Sequence, residues 1–523
     1  MSRWLRRLRI LIACLVLVGA TAVFALGGDL GRQLAPFLAH TQLLPSFIRL
    51  LTTGSAIAGL SVLAILLLTL LAGRWYCACL CPLGVLQDVA GAFGQTFRRL
   101  KRSQRRKDRD GYLRRAARTC LLVAAIVSGT AGSLFLVNLV DPYSIFGRSA
   151  TALVRPIASL GRRGLSTVLE KADIFALAGG DPIQLAWGTV ALTALLLLVP
   201  VVMALFRGRL YCNSICPVGA LLATLSRFSK ARIRTQNEAC TGCGMCVRRC
   251  RADCIVLTED KKAQVNAAEC VLCLDCVGLC PTQALLYGTE SPSCSAQTDG
   301  GRRELLSLGT TAAAAIVALP LRSLASAGFV PEEGVMPIVP PGGVSFDHFA
   351  SACTGCHLCV VLCPGHVLQP RISAHGGKGA FQPALDYLTG ACDYDCNLCS
   401  QVCPSGAILP LTLPDKKRVQ IGMVYLHEDR CAVYQRGEEC GACIEVCPTH
   451  AVYPEDRDGI LHPVTDGTIC VGCGACENVC PQSPRAITIE ALALHGTALD
   501  PLANDHSAPP ATDPGLAEED FPF

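Results

Sequence analysis

Cys240-Thr-Gly-Cys243-Gly-Met-Cys246-Val-Arg-Arg-Cys250 is followed by Cys270-Val-Leu-Cys273-Leu-Asp-Cys276-Val-Gly-Leu-Cys280-Pro281. This is the bacterial ferredoxin run, in which three close cysteines hold one iron–sulfur cube and the distant fourth ligates its neighbour. Soft thiolate ligands select iron–sulfur clusters over hard cations. The chemistry these residues imply is electron transfer.

The same phrase recurs downstream. Cys353, Cys356, Cys359 and Cys363-Pro364 form one set, and Cys392, Cys396, Cys399 and Cys403-Pro404 a second. Cys431, Cys440, Cys443 and Cys447-Pro448 form a third, and Cys470, Cys473, Cys476 and Cys480-Pro481 a fourth. All four end C-x-x-C-x-x-x-C-P; the second and third are widened at the front, as loop insertions allow. Cys353-Thr-Gly-Cys356-His357 also spells the C-x-x-C-H of covalent haem attachment, but Cys359 and Cys363-Pro364 complete a ferredoxin set instead. Zinc ribbons do not come as tandem eight-cysteine runs with C-P endings. The stretches between sets are too short for large cores, so bound clusters should supply much of the folding free energy. The expectation is about six [4Fe–4S] clusters.

Composition fits this reading. The chain has 523 residues, 33 cysteines and a net charge of +5, with a mean hydropathy of +0.41. Most cysteines fall at metal-type spacings, which excludes a secreted disulfide framework. Eleven Lys and Arg lie between Arg98 and Arg118. They sit between two apolar stretches, so a cytoplasmic loop obeying the positive-inside rule is expected rather than a nucleic-acid patch.

Apolar segments that cross about 30 Å of hydrocarbon need roughly 20 residues. Ile10–Leu26, Gly54–Ala72, Thr119–Val140 and Leu185–Phe206 qualify as four expected spans. Arg3, Arg6, Arg7 and Arg9 precede the first, and Arg207 and Arg209 follow the end of the fourth, so charge and span count agree on sidedness. His40 is the only histidine before residue 348, which excludes a bis-histidine haem within the spans.

The second and fourth spans end in one repeated phrase. Gly73-Arg74-Trp75-Tyr76-Cys77-x-x-x-Cys81-Pro82-Leu83-Gly84 matches Gly208-Arg209-Leu210-Tyr211-Cys212-x-x-x-Cys216-Pro217-Val218-Gly219. On a helix, four-residue spacing places both thiols on one face. Two such faces offer Cys77, Cys81, Cys212 and Cys216 to a tetrahedral metal site, to a further cluster, or to thiol packing alone; the sequence leaves these open.

Gly301-Arg302-Arg303-Glu304-Leu305-Leu306 opens a mildly apolar stretch that ends near Ala325-Ser326-Ala327. Paired arginines before a weakly hydrophobic segment read as a twin-arginine export signal, with an ordinary fifth span as the alternative. The expected organisation is a four-span membrane domain at 1–230, a cytoplasmic two-cluster ferredoxin domain at 231–290 and the signal or anchor at 300–328. A periplasmic four-cluster domain at 345–490 and a disordered tail at 497–523 complete it. The fold class is a polytopic α-helical membrane domain carrying α+β ferredoxin-like domains.

These motifs resemble two proteins joined end to end. The spans, the two C-x-x-x-C-P motifs and the 240–280 ferredoxin resemble the NapH-type membrane subunit of quinol dehydrogenases, known from periplasmic nitrate reduction and methylamine utilisation. Residues 302–490, with the long gap Cys431-Ala-Val-Tyr-Gln-Arg-Gly-Glu-Glu-Cys440, resemble its NapG-type periplasmic partner. The resemblance implies a bacterial inner-membrane protein that takes electrons from the quinone pool to a periplasmic cytochrome c or reductase. A factor supplying electrons for assembly of a periplasmic metalloenzyme is the alternative. No strand–G-x-G-x-x-G–helix context marks a nucleotide site, no flavin or molybdopterin motif is present, and no nucleic-acid partner is expected.

Overall fold

The computed structural model describes residues 2–98, 107–170, 186–289, 336–372 and 378–500. The paired arginines and the 300–328 segment lie outside the described residues, as do residues 99–106 of the basic run.

The first half is helical: α1 (Ser2–Leu26), α2 (Gly28–His40), α3 (Leu43–Thr53), α4 (Ala56–Ala72), α5 (Pro82–Arg98) and α6 (Lys107–Thr130). Then follow α7 (Phe135–Val140), α8 (Pro142–Ser149), α9 (Arg155–Glu170), α10 (Trp187–Arg207), α11 (Leu210–Ser214) and α12 (Pro217–Leu225). Four of these helices run from the cysteine-rich unit at 231–289 to the one at 336–500. At one end of α1, Arg6 Nε meets Asp275 Oδ1 at 2.9 Å; at the other, Gly27 lies against Val361. Thr52 at the end of α3 donates to the Ser405 carbonyl (3.4 Å), and the Leu70 and Leu71 carbonyls at the far end of α4 accept from Lys230 and Ala231. Arg114 of α6 faces Asp253 at 3.9 Å, and beyond its end the Leu134 amide donates to the Lys378 carbonyl (2.7 Å). The start of α10 lies beside Ile372, and just past its end the Arg209 amide donates to the Arg251 carbonyl (2.8 Å). Successive members of this set therefore run in alternating directions.

Among the described residues, Trp4–Leu26 and Trp187–Arg207 are long and apolar enough to cross a membrane, while Ala56–Ala72 is a shorter apolar helix. The expected third span, Thr119–Val140, is not one helix. α6 ends at Thr130, Gly132 takes a left-handed conformation (φ +81°), and Ser128 and Ser133 close the turn through bonds of 2.6 and 3.0 Å. Apolar length alone did not register that Gly-Ser break; among the described residues, two helices meet the length and apolarity of a span.

The cysteine-rich units contain short antiparallel ribbons. In the first, β1 (Arg232–Thr235) pairs with β4 (Leu285–Gly288), and β2 (Ile255–Leu257) with β3 (Ala263–Val265). In the second, β5 (Leu368–Pro370) pairs with β6 (Pro383–Leu385), β7 (Val419–Leu426) with β10 (Ile487–Thr497), and β8 (Val452–Arg457) with β9 (Ile460–Thr465). Asp458 and Gly459, both at positive φ, turn β8 into β9 as a two-residue hairpin requires. These ribbons are too small to bury a core of their own. Instead Ile233, Ile255, Leu272 and Leu285 pack around Cys250, Cys273 and Cys276, so the cysteines stand at the centre of the fold. β10 reaches Thr497, and Ala498 and Leu499 donate to Arg418 and Thr468 carbonyls; residues 501–523 lie outside the described residues.

Candidate iron–sulfur centres

The ferredoxin cysteines gather in fours, and each gathering mixes two sequence sets. Cys240, Cys243 and Cys246 surround one void together with Cys280. Cys270, Cys273 and Cys276 surround another with Cys250 and a further thiol, Cys254. Cys431, Cys440 and Cys443 meet Cys480. In the same way Cys353, Cys356 and Cys359 lie within electrostatic reach of Cys403. Cys392, Cys396 and Cys399 share their surroundings with Cys363, and Cys470, Cys473 and Cys476 with Cys447. The sequence had not told which fourth cysteine crosses over in the C-terminal half; each pair of sets exchanges its last one.

Local backbone conformation makes the rings. Gly242 and Gly244, Leu272 and Leu274, Gly355 and His357, and Gly472 and Gly474 alternate with the cysteines and all take positive φ. That winding turns successive thiols inward. Leu272, Leu274 and His357 adopt it without a glycine's freedom, which costs of order 1–3 kcal/mol each and persists only where the surroundings enforce it. In the two widened sets, Asn397 (φ −129°) and Gly441 (φ −115°) hold the matching place, so the insertions reach their rings by another path.

The donor sets fit a cube. Among the described residues, no three His, Cys, Asp or Glu side chains come close enough to hold a single metal ion. A cube distributes four thiolates over four iron atoms and therefore needs a wider ring. Burial pushes some of these thiols up: Cys273, Cys356 and Cys392 to about 12, and Cys443 and Cys473 to about 11. Only the thiolate is a ligand, so iron must supply the positive charge that ionises them. His357, the histidine of the haem-like motif, is buried with Nε2 3.0 Å from the Phe381 carbonyl, while Cys353 and Cys356 turn toward Cys403.

The two C-x-x-x-C-P motifs meet among the helices, beginning where α4 and α10 end beside the 231–289 unit. Cys77, Cys81, Cys212 and Cys216 are all buried and lie within mutual electrostatic reach. They are not spaced along one helix face, as the sequence suggested. Cys77 lies in a π-helical turn, Tyr76–Leu80, and Cys81 is the extended residue that precedes α5. Cys212 lies in α11, and Cys216 caps α12. Pro82 and Pro217 favour this, because proline's fixed φ suits the first position of a helix and its missing N–H disfavours the interior. The amides of Gly84 and Gly219 then donate to Cys81 Sγ (3.4 Å) and Cys216 Sγ (3.2 Å). The tetrahedral single-ion reading of these four thiols is not supported by their spacing.

Sequence comparison bears on the same segments. A model described as a 4Fe-4S binding domain matches residues 56–101 and 189–236, which contain the two C-x-x-x-C-P motifs. A 4Fe-4S dicluster domain matches residues 352–407 and 436–483. The ferredoxin-type protein NapF of Escherichia coli (strain K12) is 32% identical over 159 residues, 30% of this chain and 87% of NapF. The ferredoxin-type protein NapG of the same organism is 30% identical over 216 residues, 39% of this chain and 90% of NapG. The chain belongs to the ferredoxin-type iron–sulfur proteins of the Nap and Mau kind. YccM of the same strain is 26% identical over 241 residues, 46% of this chain, and the chain spans 58% of YccM's length.

As a ferredoxin-type iron–sulfur protein, the chain is an electron-transfer protein, and some residues around its centres escaped sequence reasoning. Arg74 and Arg209, the arginines of the repeated Gly-Arg phrase, are fully buried and cross over to the opposite copy. Arg74 donates to the Cys212 carbonyl (3.4 Å) and to Asn213 Oδ1 (2.6 Å) and approaches Cys77 Sγ at 3.8 Å. Arg209 donates to the Cys77 carbonyl and to Asp88 at 2.8 and 2.7 Å. Asp88 also takes Arg9 (3.2 Å) and Arg251 (3.4 Å), and Arg251 continues to Asp275 at 2.6 Å. Repetition of the Gly-Arg phrase was a usable signal for the arginines. Asp88 had none, since the second copy carries Ala223 at that place.

Proposed function

We propose that this chain is a membrane quinol dehydrogenase of the iron–sulfur type, passing electrons from the quinone pool to a redox partner on the far side of the bacterial inner membrane. The 24 cysteines of the six rings would hold six [4Fe–4S] clusters, and Cys77, Cys81, Cys212 and Cys216 a further one. A bound cluster supplies reversible one-electron chemistry at each place. The protein's part is to put those places in line.

The observation that carries this reading is the position of the four C-x-x-x-C-P thiols. On one side, Arg74 joins Cys77 to the Ala268 carbonyl (3.3 Å), two residues from Cys270. On the other, Tyr211 donates to the Val140 carbonyl (2.6 Å), and one packed cluster contains Cys77, Cys81, Cys216, Tyr143 and Cys356. Further along, the Cys392 amide donates to the Cys473 carbonyl (2.9 Å), linking the last two pairs of rings. The thiols thus form a series through the helices, where hydrocarbon would otherwise separate two groups of clusters.

Membrane residence draws support from the apolar faces of the bridging helices. Leu11, Leu15 and Val18 of α1, Leu60 and Leu63 of α4, and Leu195 and Leu198 of α10 are exposed, a surface that a lipid solvent would cover. In this reading α1, α4, α6 and α10 cross the bilayer, the 231–289 unit is cytoplasmic and the 336–500 unit periplasmic. Purified protein in detergent, kept anaerobic, should lose its iron–sulfur absorbance on addition of a quinol. Reduction by dithionite but not by quinol would exclude the dehydrogenase and leave the assembly-factor reading.

A further inference from the structure

The ring of Cys270, Cys273, Cys276 and Cys250 has a fifth thiol, Cys254, on the wall of the same void. Cys254 Sγ lies 3.5 Å from Cys250 Sγ, and its amide donates to that sulfur at 3.4 Å. It is buried, and Cys270 lines the same void.

The other repeats of the chain provide a control. Four residues after the crossing cysteine stand Ala284, Val367, Ala407 and Ala451, each buried. The residue before each of them, Gln283, His366, Gly406 and His450, takes positive φ, as Asp253 does before Cys254. These four places are therefore equivalent to that of Cys254, and small apolar side chains fill them; the repeat ending at Cys480 differs, with Pro484 at that spacing. Cys250 is also the one crossing cysteine without a following proline; Arg251 stands there and joins Asp88 and Asp275 instead. A buried cysteine often serves as a small hydrophobe, and the fold plainly accepts one at this place. What sets Cys254 apart is a thiol within hydrogen-bonding reach of a ring sulfur, that of Cys250.

We propose that Cys254 is not a ligand but a sulfhydryl donor to the ring sulfur of Cys250, and that it raises the reduction potential of this one centre. Reduction adds negative charge to a cluster and its thiolates, so a donor aimed at those sulfurs favours the reduced form; hydrogen bonds to sulfur are among the determinants of cluster potential. Of the two centres in the 231–289 unit, the one so tuned is the one whose segment Arg74 joins to Cys77, and it would hold an electron in preference to its partner ring at Cys240. This inference rests on the ring being a [4Fe–4S] site.

The test is a potentiometric EPR titration of the full chain, with iron analysis, for wild type, Cys254→Ala and Cys254→Ser. Alanine is the residue that other repeats use, so the variant should fold and keep its iron. One centre should move to lower potential in Cys254→Ala and return toward the wild-type value in Cys254→Ser, whose hydroxyl is again a donor. A full iron complement with an unmoved midpoint in Cys254→Ala overturns the donor role alone, and loss of one cluster in that variant overturns it by making Cys254 a ligand. Wild-type protein without iron–sulfur signals would overturn the parent reading, and this one with it.

Discussion

Charge buried among the helices is concentrated at a few residues, and their removal should be costly. Asp88 balances Arg9, Arg209 and Arg251, and Arg209 is fully buried. Breaking a buried pair from one side leaves uncompensated charge and costs roughly 3–5 kcal/mol. Asp88→Asn should therefore lower the thermal unfolding midpoint in detergent markedly, and an unchanged midpoint would show that the network carries little stability. At the rings the cost takes another form. Cys440→Ser or Cys473→Ser should remove about four iron atoms per chain and destabilise the 336–500 unit, because cluster binding and folding free energy are linked. Iron analysis together with limited proteolysis reads both effects.

Among the elements, the repeated turn from helix through C-x-x-x-C-P into the next helix is the unit that joins the two halves. Cys81→Ser and Cys216→Ser should each abolish quinol-linked reduction and leave the six ferredoxin-type centres spectroscopically intact. Groups that act as one unit are non-additive, so the double variant should be no worse than either single one; normal activity in a single variant would return these thiols to packing. The repeat itself was plain in the sequence, because Gly-Arg-x-Tyr-Cys and Cys-Pro-x-Gly recur as written text. Its geometry was not. A spacing of four suggested one helix face, and only Pro82 and Pro217, read as helix starters, pointed to two elements meeting at the cysteine. The cysteine spacings were equally legible, since each set lies within one local winding. Which cysteine crosses to the neighbouring ring depends on contacts between distant segments, as with Cys403 and Cys447. Cys254 was overlooked because it belongs to no spacing, and the break at Gly132 because apolar length does not report where a helix stops.

At the scale of the whole molecule, four helices in alternating directions hold two cysteine-rich units apart. Reporter fusions near Arg105 and near Cys431 should place the first in the cytoplasm and the second in the periplasm; a reporter active in the cytoplasm after residue 480 would refute that topology and the periplasmic partner with it. Sidedness, quinol oxidation and the tuning by Cys254 all presuppose that the thiol rings carry clusters. Anaerobic iron and acid-labile sulfide analysis of the intact chain, with EPR of the reduced protein, tests this most directly. The rings predict about 24 iron atoms per chain from six [4Fe–4S] clusters, and about 28 with the C-x-x-x-C-P site also filled. A content of about 16 or fewer in intact, anaerobically purified protein would contradict the assignment.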